Sequence, residues 1–215
     1  MALLITFFVF VVSLLQAPLQ TAGWLWDSGN ALGMLGFAGL TYLFLEDGAG
    51  RGARRHQWIS YATTGAIFAH IILLWAFDAT VWYYLMLSAP NYMLAGIAAF
   101  FGVICIILLA LPTLRRKWHP SRKQFQTWHY CLSLAVLTGA LWHITASGFY
   151  FSQTESFLLI GLSILIIVAN LRKRLRLRRE MLPKSMGQFK SNSLSGIALC
   201  AGFFVTVFVL LKGLA

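Results

Sequence analysis

The chain has 215 residues, of which 59% are hydrophobic and 11% charged, and its mean hydropathy is +0.75. Soluble domains carry about 25% charged residues, so this composition excludes an ordinary soluble domain. Apolar stretches recur along the chain, and each is long enough to form a helix of about 20 residues that crosses a bilayer. Closed β-barrels are excluded because their strands alternate polar and apolar residues. The composition therefore predicts an all-α polytopic membrane protein.

Seven membrane spans are predicted, with the residue ranges 2–17, 24–45, 54–77, 91–113, 126–148, 154–170 and 193–211. The first span has no basic residue ahead of its apolar stretch, as a signal peptide would have, and we expect it to be retained as a helix. This organisation gives a six-helix core over 1–171, a basic cytoplasmic loop over 172–192 and an additional C-terminal helix over 193–215. No internal sequence repeat is visible.

The net charge of +11 follows the membrane topology. Sixteen of the 17 Lys and Arg residues lie in three short windows, 51–55, 115–123 and 172–190. All three windows fall on the same side of the predicted bundle, and cytoplasmic loops are the ones enriched in Lys and Arg. We therefore expect a cytoplasmic N-terminus, an external C-terminus and no nucleic-acid partner. The expected location is the plasma membrane, or the inner membrane if the source is bacterial.

Four of the five histidines form two matched pairs. His56 and His70 are 14 residues apart in span 54–77, and His129 and His143 are 14 residues apart in span 126–148. Fourteen residues turn an α-helix through about 1400°, roughly 40° short of four turns, and rise about 21 Å. Each helix therefore carries its two histidines on one face at two depths. Because both spans run from inside to outside, we expect His56 to lie opposite His129 and His70 opposite His143.

Two facing imidazoles at each depth predict two stacked haem b groups, the inner one held by His56 and His129 and the outer one by His70 and His143. Neutral imidazole is a common ligand of haem iron. Arginines at the inner mouth would pair with the haem propionates, and a glycine between the histidines of each helix would let a porphyrin approach the backbone. These six expected haem contacts are Arg54, Arg55, Arg115, Arg116, Gly65 and Gly139.

The doubled pattern His56-x13-His70 and His129-x13-His143 resembles the bis-haem signature of the ferric reductase and NADPH oxidase transmembrane domain. The basic run 115–117, which precedes Trp128 and His129, is similar to that group as well. The resemblance covers about residues 24–171. It implies a six-helix core through which electrons pass from the cytoplasmic haem to the outer haem.

Fused members of that group continue into flavin and NADPH domains after their sixth span, whereas this chain has a basic loop and a seventh span there. We therefore expect a separate cytoplasmic flavoprotein or a membrane quinol as the electron donor. The external acceptor is open among a protein, ferric iron and dioxygen. For the basic segment 172–190, both contact with anionic lipid of the bilayer and docking of an acidic donor are compatible with its charge.

Two other functions compete with this interpretation. One is a quinone-reactive haem anchor subunit of a periplasmic oxidoreductase. The other belongs to a different class, a non-redox transporter that uses its histidines for protons or metal ions. His119, in a basic loop beside Pro120, is expected to be solvated.

Overall fold

The computed structural model describes residues 23–46, 52–86, 88–119, 121–148, 151 and 153–180. Within these residues there are no strands, so the all-α prediction is confirmed. The elements, in chain order, are α1 (Trp24–Leu45), α2 (Gly52–Phe77), a 3-10 helix (Ala79–Leu85), α3 (Asn91–Ala110), α4 (Pro112–Trp118), α5 (Arg122–Ser147) and α6 (Gln153–Glu180).

Four of these helices, α1, α2, α3 and α5, are long and apolar enough to cross a membrane. They coincide with the predicted spans 24–45, 54–77, 91–113 and 126–148, and they confirm a multi-pass helical membrane protein. The predicted span 154–170 lies inside α6, whose apolar part covers Ser156–Arg172. The predicted spans 2–17 and 193–211 lie outside the described residues, so the total of seven stays a prediction.

Helix α6 continues into the basic segment and ends at Glu180. The first nine residues of the predicted loop 172–192 are therefore helical in the structure. The physical reason is composition, because 172–180 contains only Arg, Lys, Leu and Glu, which all favour helix, and the first proline comes at Pro183.

The boundary between α3 and α4 follows from one proline. Pro112 begins α4, and the residue before it, Leu111, is extended with φ −59° and ψ 132°. Proline disfavours helical geometry in the residue that precedes it, so α3 ends at Ala110 and the chain changes direction. Helix α4 therefore carries the bases of 115–117 as a short separate helix at the end of the membrane span.

The four spanning helices form two closely packed antiparallel pairs, α1 with α2 and α3 with α5. Glycines allow the close approach. A Cβ added at Gly36 of α1 would lie 2.6 Å from Cγ1 of Ile67 on α2, and one at Gly102 of α3 would lie 2.5 Å from Cγ2 of Val136 on α5. Small residues at helix contacts are typical of membrane bundles, because association there depends on van der Waals packing between close backbones.

An apolar cluster joins the two pairs at the centre of the bundle. Its buried members come from α1, α5, the start of α6 and the segment before it, and they are Met34, Phe37, Phe44, Leu137, Leu141, Phe151 and Leu159. Helix α1 is therefore enclosed by neighbours. Most large apolar side chains of α2, by contrast, are exposed, as expected for a helix that faces lipid.

The close pairing of α1 and α2 predicts a sharp difference between two glycine-to-alanine variants. Gly36→Ala should lower the free energy of unfolding by about 1–3 kcal/mol, because the added methyl group overpacks the contact with Ile67. Gly161→Ala on α6, where an added Cβ meets nothing within 4 Å, should leave it unchanged or raise it by up to about 1 kcal/mol through helix propensity. Reversible unfolding in detergent micelles measures both. Equal stability of the two variants would contradict the packing described here.

Candidate functional site

The inner histidine pair lies between the two helix pairs. His56 comes from α2 and His129 from α5, and their ring centroids are 6.4 Å apart with the ring planes inclined at 53°. The two helices belong to different packed pairs, so the rings meet across the gap between those pairs. The structure thus brings together the two histidines that their spacing placed at the same inner depth.

The outer histidine pair is held by backbone carbonyls. Nδ1 of His70 is 2.7 Å from the carbonyl oxygen of Gly29, and Nδ1 of His143 is 3.0 Å from that of Tyr92. A carbonyl can only accept a hydrogen bond, so Nδ1 carries the proton in both rings and Nε2 keeps its lone pair. His70 and His143 are also close enough to interact electrostatically. Both rings therefore have a fixed tautomer with Nε2 available as a ligand.

A glycine lies beneath each outer histidine. A Cβ added at Gly33 would be 2.8 Å from Nδ1 of His70, and one added at Gly96 would be 2.7 Å from Nδ1 of His143. Both distances are too short for a real side chain, so each ring rests directly on the backbone of the facing helix. The sequence analysis missed these two glycines. The available signal was their position in glycine stripes at helical spacing, such as Gly29, Gly33, Gly36 and Gly39.

The two glycines that the sequence analysis did select have different surroundings. An added Cβ at Gly65 meets nothing within 4 Å in the described part of the chain. Gly139, by contrast, packs on α3, where its added Cβ would lie 3.3 Å from the carbonyl oxygen of Ala95 and 3.4 Å from Cβ of Ala99. The absence of a side chain at Gly139 therefore serves the contact between α3 and α5, while Gly65 faces open space.

The two helix pairs build the outer site in the same way. On α1 the carbonyl of Gly29 and the backbone of Gly33, four residues later, contact His70. On α3 the carbonyl of Tyr92 and the backbone of Gly96, again four residues later, contact His143. This structural repetition is not visible in the sequence, because the first member of each pair contributes only its carbonyl and its side chain is free to differ.

The four expected arginines all lie at the end of the bundle that carries the inner histidine pair, but in different settings. Arg55 forms an ion pair with Glu46, and its Nε donates to Oε1 of that carboxylate at 2.6 Å. Arg115 places its guanidinium carbon 5.5 Å from the ring centroid of Phe125, a cation–π distance. Arg54 and Arg116 are exposed. Phe125 in turn lies 5.3 Å from the ring of His129, so Arg115 is linked to the inner pair through one aromatic ring.

His119 is not the solvated loop histidine that the sequence analysis expected. Both of its ring nitrogens are buried and have no hydrogen-bond partner in the described part of the chain. Its ring packs edge-on against Phe125, with centroids 5.7 Å apart. This contact places His119, the residue after α4, against the first turn of α5. His119, Phe125, His129 and His56 thus form a continuous series of ring contacts at the inner end.

Comparisons of this chain with protein-family models, with curated proteins and with solved structures found no match. The resemblance to the ferric reductase and NADPH oxidase domain therefore depends on the histidine spacing and on the basic run that precedes Trp128 and His129. Among the described residues, no group of three or more His, Cys, Asp or Glu side chains could hold a metal ion. The donor set at each depth is a pair of imidazoles.

The contacts at Gly33 and Gly96 predict that each outer histidine can be displaced separately. Gly33→Ala should remove the Nδ1–H hydrogen bond of His70 and leave that of His143 intact, and Gly96→Ala should do the reverse, because each methyl group displaces only the ring above it. Nitrogen-15 NMR of histidine-labelled protein reports the tautomer and hydrogen bonding of each ring. The two variants are controls for each other, and loss of both hydrogen bonds in either variant would contradict the assignment.

Proposed function

We propose that this protein is a di-haem b membrane cytochrome that transfers single electrons from a cytoplasmic-side donor to an external acceptor. His56 and His129 hold the inner haem, and His70 and His143 hold the outer haem. The donor is a separate flavoprotein or a membrane quinol, and the acceptor is a protein, ferric iron or dioxygen. The proposal combines the geometry of the described helices with the family resemblance of the histidine pattern.

The observation that carries the proposal is the spacing of the inner pair. A metal–imidazole bond is about 2 Å long and the ligating nitrogen lies about 1 Å from its ring centroid, so two axial imidazoles on one metal have centroids about 6 Å apart. The rings of His56 and His129 have their centroids 6.4 Å apart, and their helices belong to different closely packed pairs. This distance fits two imidazoles on opposite sides of one iron.

The outer pair supports the proposal through its hydrogen bonds. Histidines that bind metals almost always donate their second ring N–H to a carbonyl, a carboxylate or water, which fixes the ring orientation and makes the ligating nitrogen more basic. Both outer histidines do this with backbone carbonyls. With Nδ1–H donated in this way, Nε2 of each ring keeps the lone pair that a metal would bind.

The number of donors favours haem over a bare metal ion. Structural and catalytic zinc sites take three or four protein ligands, whereas each site here offers two imidazoles within the described residues. A haem needs only two axial ligands, because its porphyrin supplies the remaining nitrogens. When bound between two imidazoles, haem supplies one-electron transfer with no open position for a ligand. The non-redox transporter is therefore the less favoured alternative.

The remaining parts of the site suit the same function. All four histidines lie on apolar helices, and an apolar environment is one of the factors that set a haem potential. The basic residues of α4 and of the first turn of α5 lie at the inner end, where haem propionates or an acidic donor would find positive charge. Attraction of an acidic donor to this face would weaken as ionic strength rises.

Haem stoichiometry tests the proposal directly. Purified wild-type protein from haem-replete cells should contain two b haems per chain by the pyridine haemochrome assay, with a matching reduced-minus-oxidised spectrum. His70→Ala and His143→Ala should each keep one haem, because only the outer site loses a ligand. His119→Ala is the matched histidine control and should keep two. A colourless wild-type protein would overturn the proposal, and two haems with unchanged spectra in both outer variants would overturn the pairing.

A further inference from the structure

The inner and outer histidine pairs differ in what their second ring nitrogens meet. Nδ1 of His70 and Nδ1 of His143 donate to neutral carbonyls. Nδ1 of His56, by contrast, is buried and has no hydrogen-bond partner among the described residues. A buried polar atom without a partner is costly and calls for an explanation. The two sites therefore have different electrostatic surroundings, even though their ligands are the same.

The carboxylate of Glu46 lies near His56, because it forms an ion pair with Arg55, the residue directly before His56. Only 8% of the Glu46 side chain is exposed, and its Oε2 atom is buried without a hydrogen-bond partner in the described part of the chain. Its Oε1 atom accepts the hydrogen bond from Arg55, the residue directly before His56 in α2. A buried carboxylate thus lies at the inner site, and one of its two oxygens is not used by the ion pair.

The two partners of this ion pair are not equally screened by solvent. The Arg55 side chain is 66% exposed, against 8% for Glu46. Exposed charges are strongly screened by water and salt, whereas buried charges are screened much less. Within this pair, the carboxylate is therefore the less screened charge, although the pair is formally neutral.

The position of Glu46 is fixed by contacts two residues earlier. The Phe44 ring stacks on the ring of Tyr130 with centroids 5.2 Å apart, and Tyr130 directly follows His129. The Phe44 carbonyl accepts a hydrogen bond of 2.8 Å from Nδ2 of Asn170 on α6. The cytoplasmic end of α1 is thus fastened to both α5 and α6. These contacts fix the end of α1, and with it the position of the Glu46 carboxylate, relative to the helix that carries His129.

We propose that Glu46 is a positioning and tuning residue of the inner site, whose buried carboxylate lowers the reduction potential of the iron held by His56 and His129. A nearby negative charge favours the oxidised, more positive state of a metal centre, and charge near a redox centre is one of the determinants of its potential. The other buried acid of α1, Asp27, lies at the opposite end of that helix, two residues before Gly29, so the expected effect of Glu46 is on the inner potential alone. This inference rests on the proposed function.

Two substitutions at the ion pair test whether Glu46 sets the reduction potential of the inner site or only stabilises the contact between α1 and α2. Glu46→Gln should raise the potential of the inner site, and Arg55→Gln should lower it, because the first removes the negative charge and the second its partial neutralisation. We expect each to change the oxidised-to-reduced ratio at a fixed potential by about tenfold, which is about 59 mV for one electron. Spectroelectrochemical titration of the full chain measures both sites at once, and the outer potential should stay constant.

The opposite signs of the two shifts make the test strict. If the ion pair only stabilised the contact between α1 and α2, both variants would lose the same interaction and would shift the inner potential in the same direction. Shifts of equal sign would therefore overturn the proposal. Glu46→Asp keeps the charge and should restore the low potential of the inner site, and failure to do so would also overturn it. Lys117→Gln on α4 and Asp78→Asn at the outer end remove matching charges elsewhere. If either control shifted the inner potential as much as the test variants do, the cause would be the overall charge of the protein. That outcome would overturn the proposal.

The failure of this inference differs from failure of the proposed function. A wild-type chain that binds no haem would overturn the proposed function and this inference with it. A wild-type chain with two haems, in which the inner potential does not respond to Glu46→Gln, would overturn only the tuning role of Glu46.

Discussion

The site depends on how closely two pairs of helices approach each other. Inside a bilayer no water is available to hydrogen-bond a buried imidazole, so the ring must find a partner in the protein. Gly33 and Gly96 remove the side chains that would separate the facing helices, and the outer histidines then reach carbonyls at 2.7 and 3.0 Å. This contact fixes the ring tautomer, the ring orientation and the distance between α1 and α2 and between α3 and α5.

The same contact made twice gives the bundle its organisation. Each packed pair contributes one helix that carries two histidines and one helix that supports the outer histidine with its backbone. The two histidine-bearing helices, α2 and α5, then face each other across the gap between the pairs, and the inner rings meet there with centroids 6.4 Å apart. The proposed haem sites therefore lie at the junction of two similar halves, where each half supplies one ligand at each depth.

The inner end of the bundle has features that only one of the two helix pairs contributes. At the inner end only α1 carries a buried acid, Glu46, among the described residues of the packed pairs, and its partner Arg55 is largely exposed. Only the loop before α5 brings an additional histidine, His119, against an aromatic ring that touches the inner pair. These asymmetric features add charge and ring contacts on the side where we propose that electrons enter. At the outer end, His70 and His143 donate to the neutral carbonyls of Gly29 and Tyr92.

The sequence by itself determined the four spanning helices α1, α2, α3 and α5 and the relative height of His56 and His129 on two of them, because hydropathy and helical rotation are local properties of the chain. The spacing of 14 residues was enough to place His56 level with His129. The tertiary structure alone decided which helix lies behind each ring, and so it revealed Gly33, Gly96 and the burial of His119 and gave Gly139 a packing role. It also paired Glu46, directly after α1, with Arg55 of α2. Such contacts depend on how helices approach and rotate against one another, and no periodicity within a single helix contains that information.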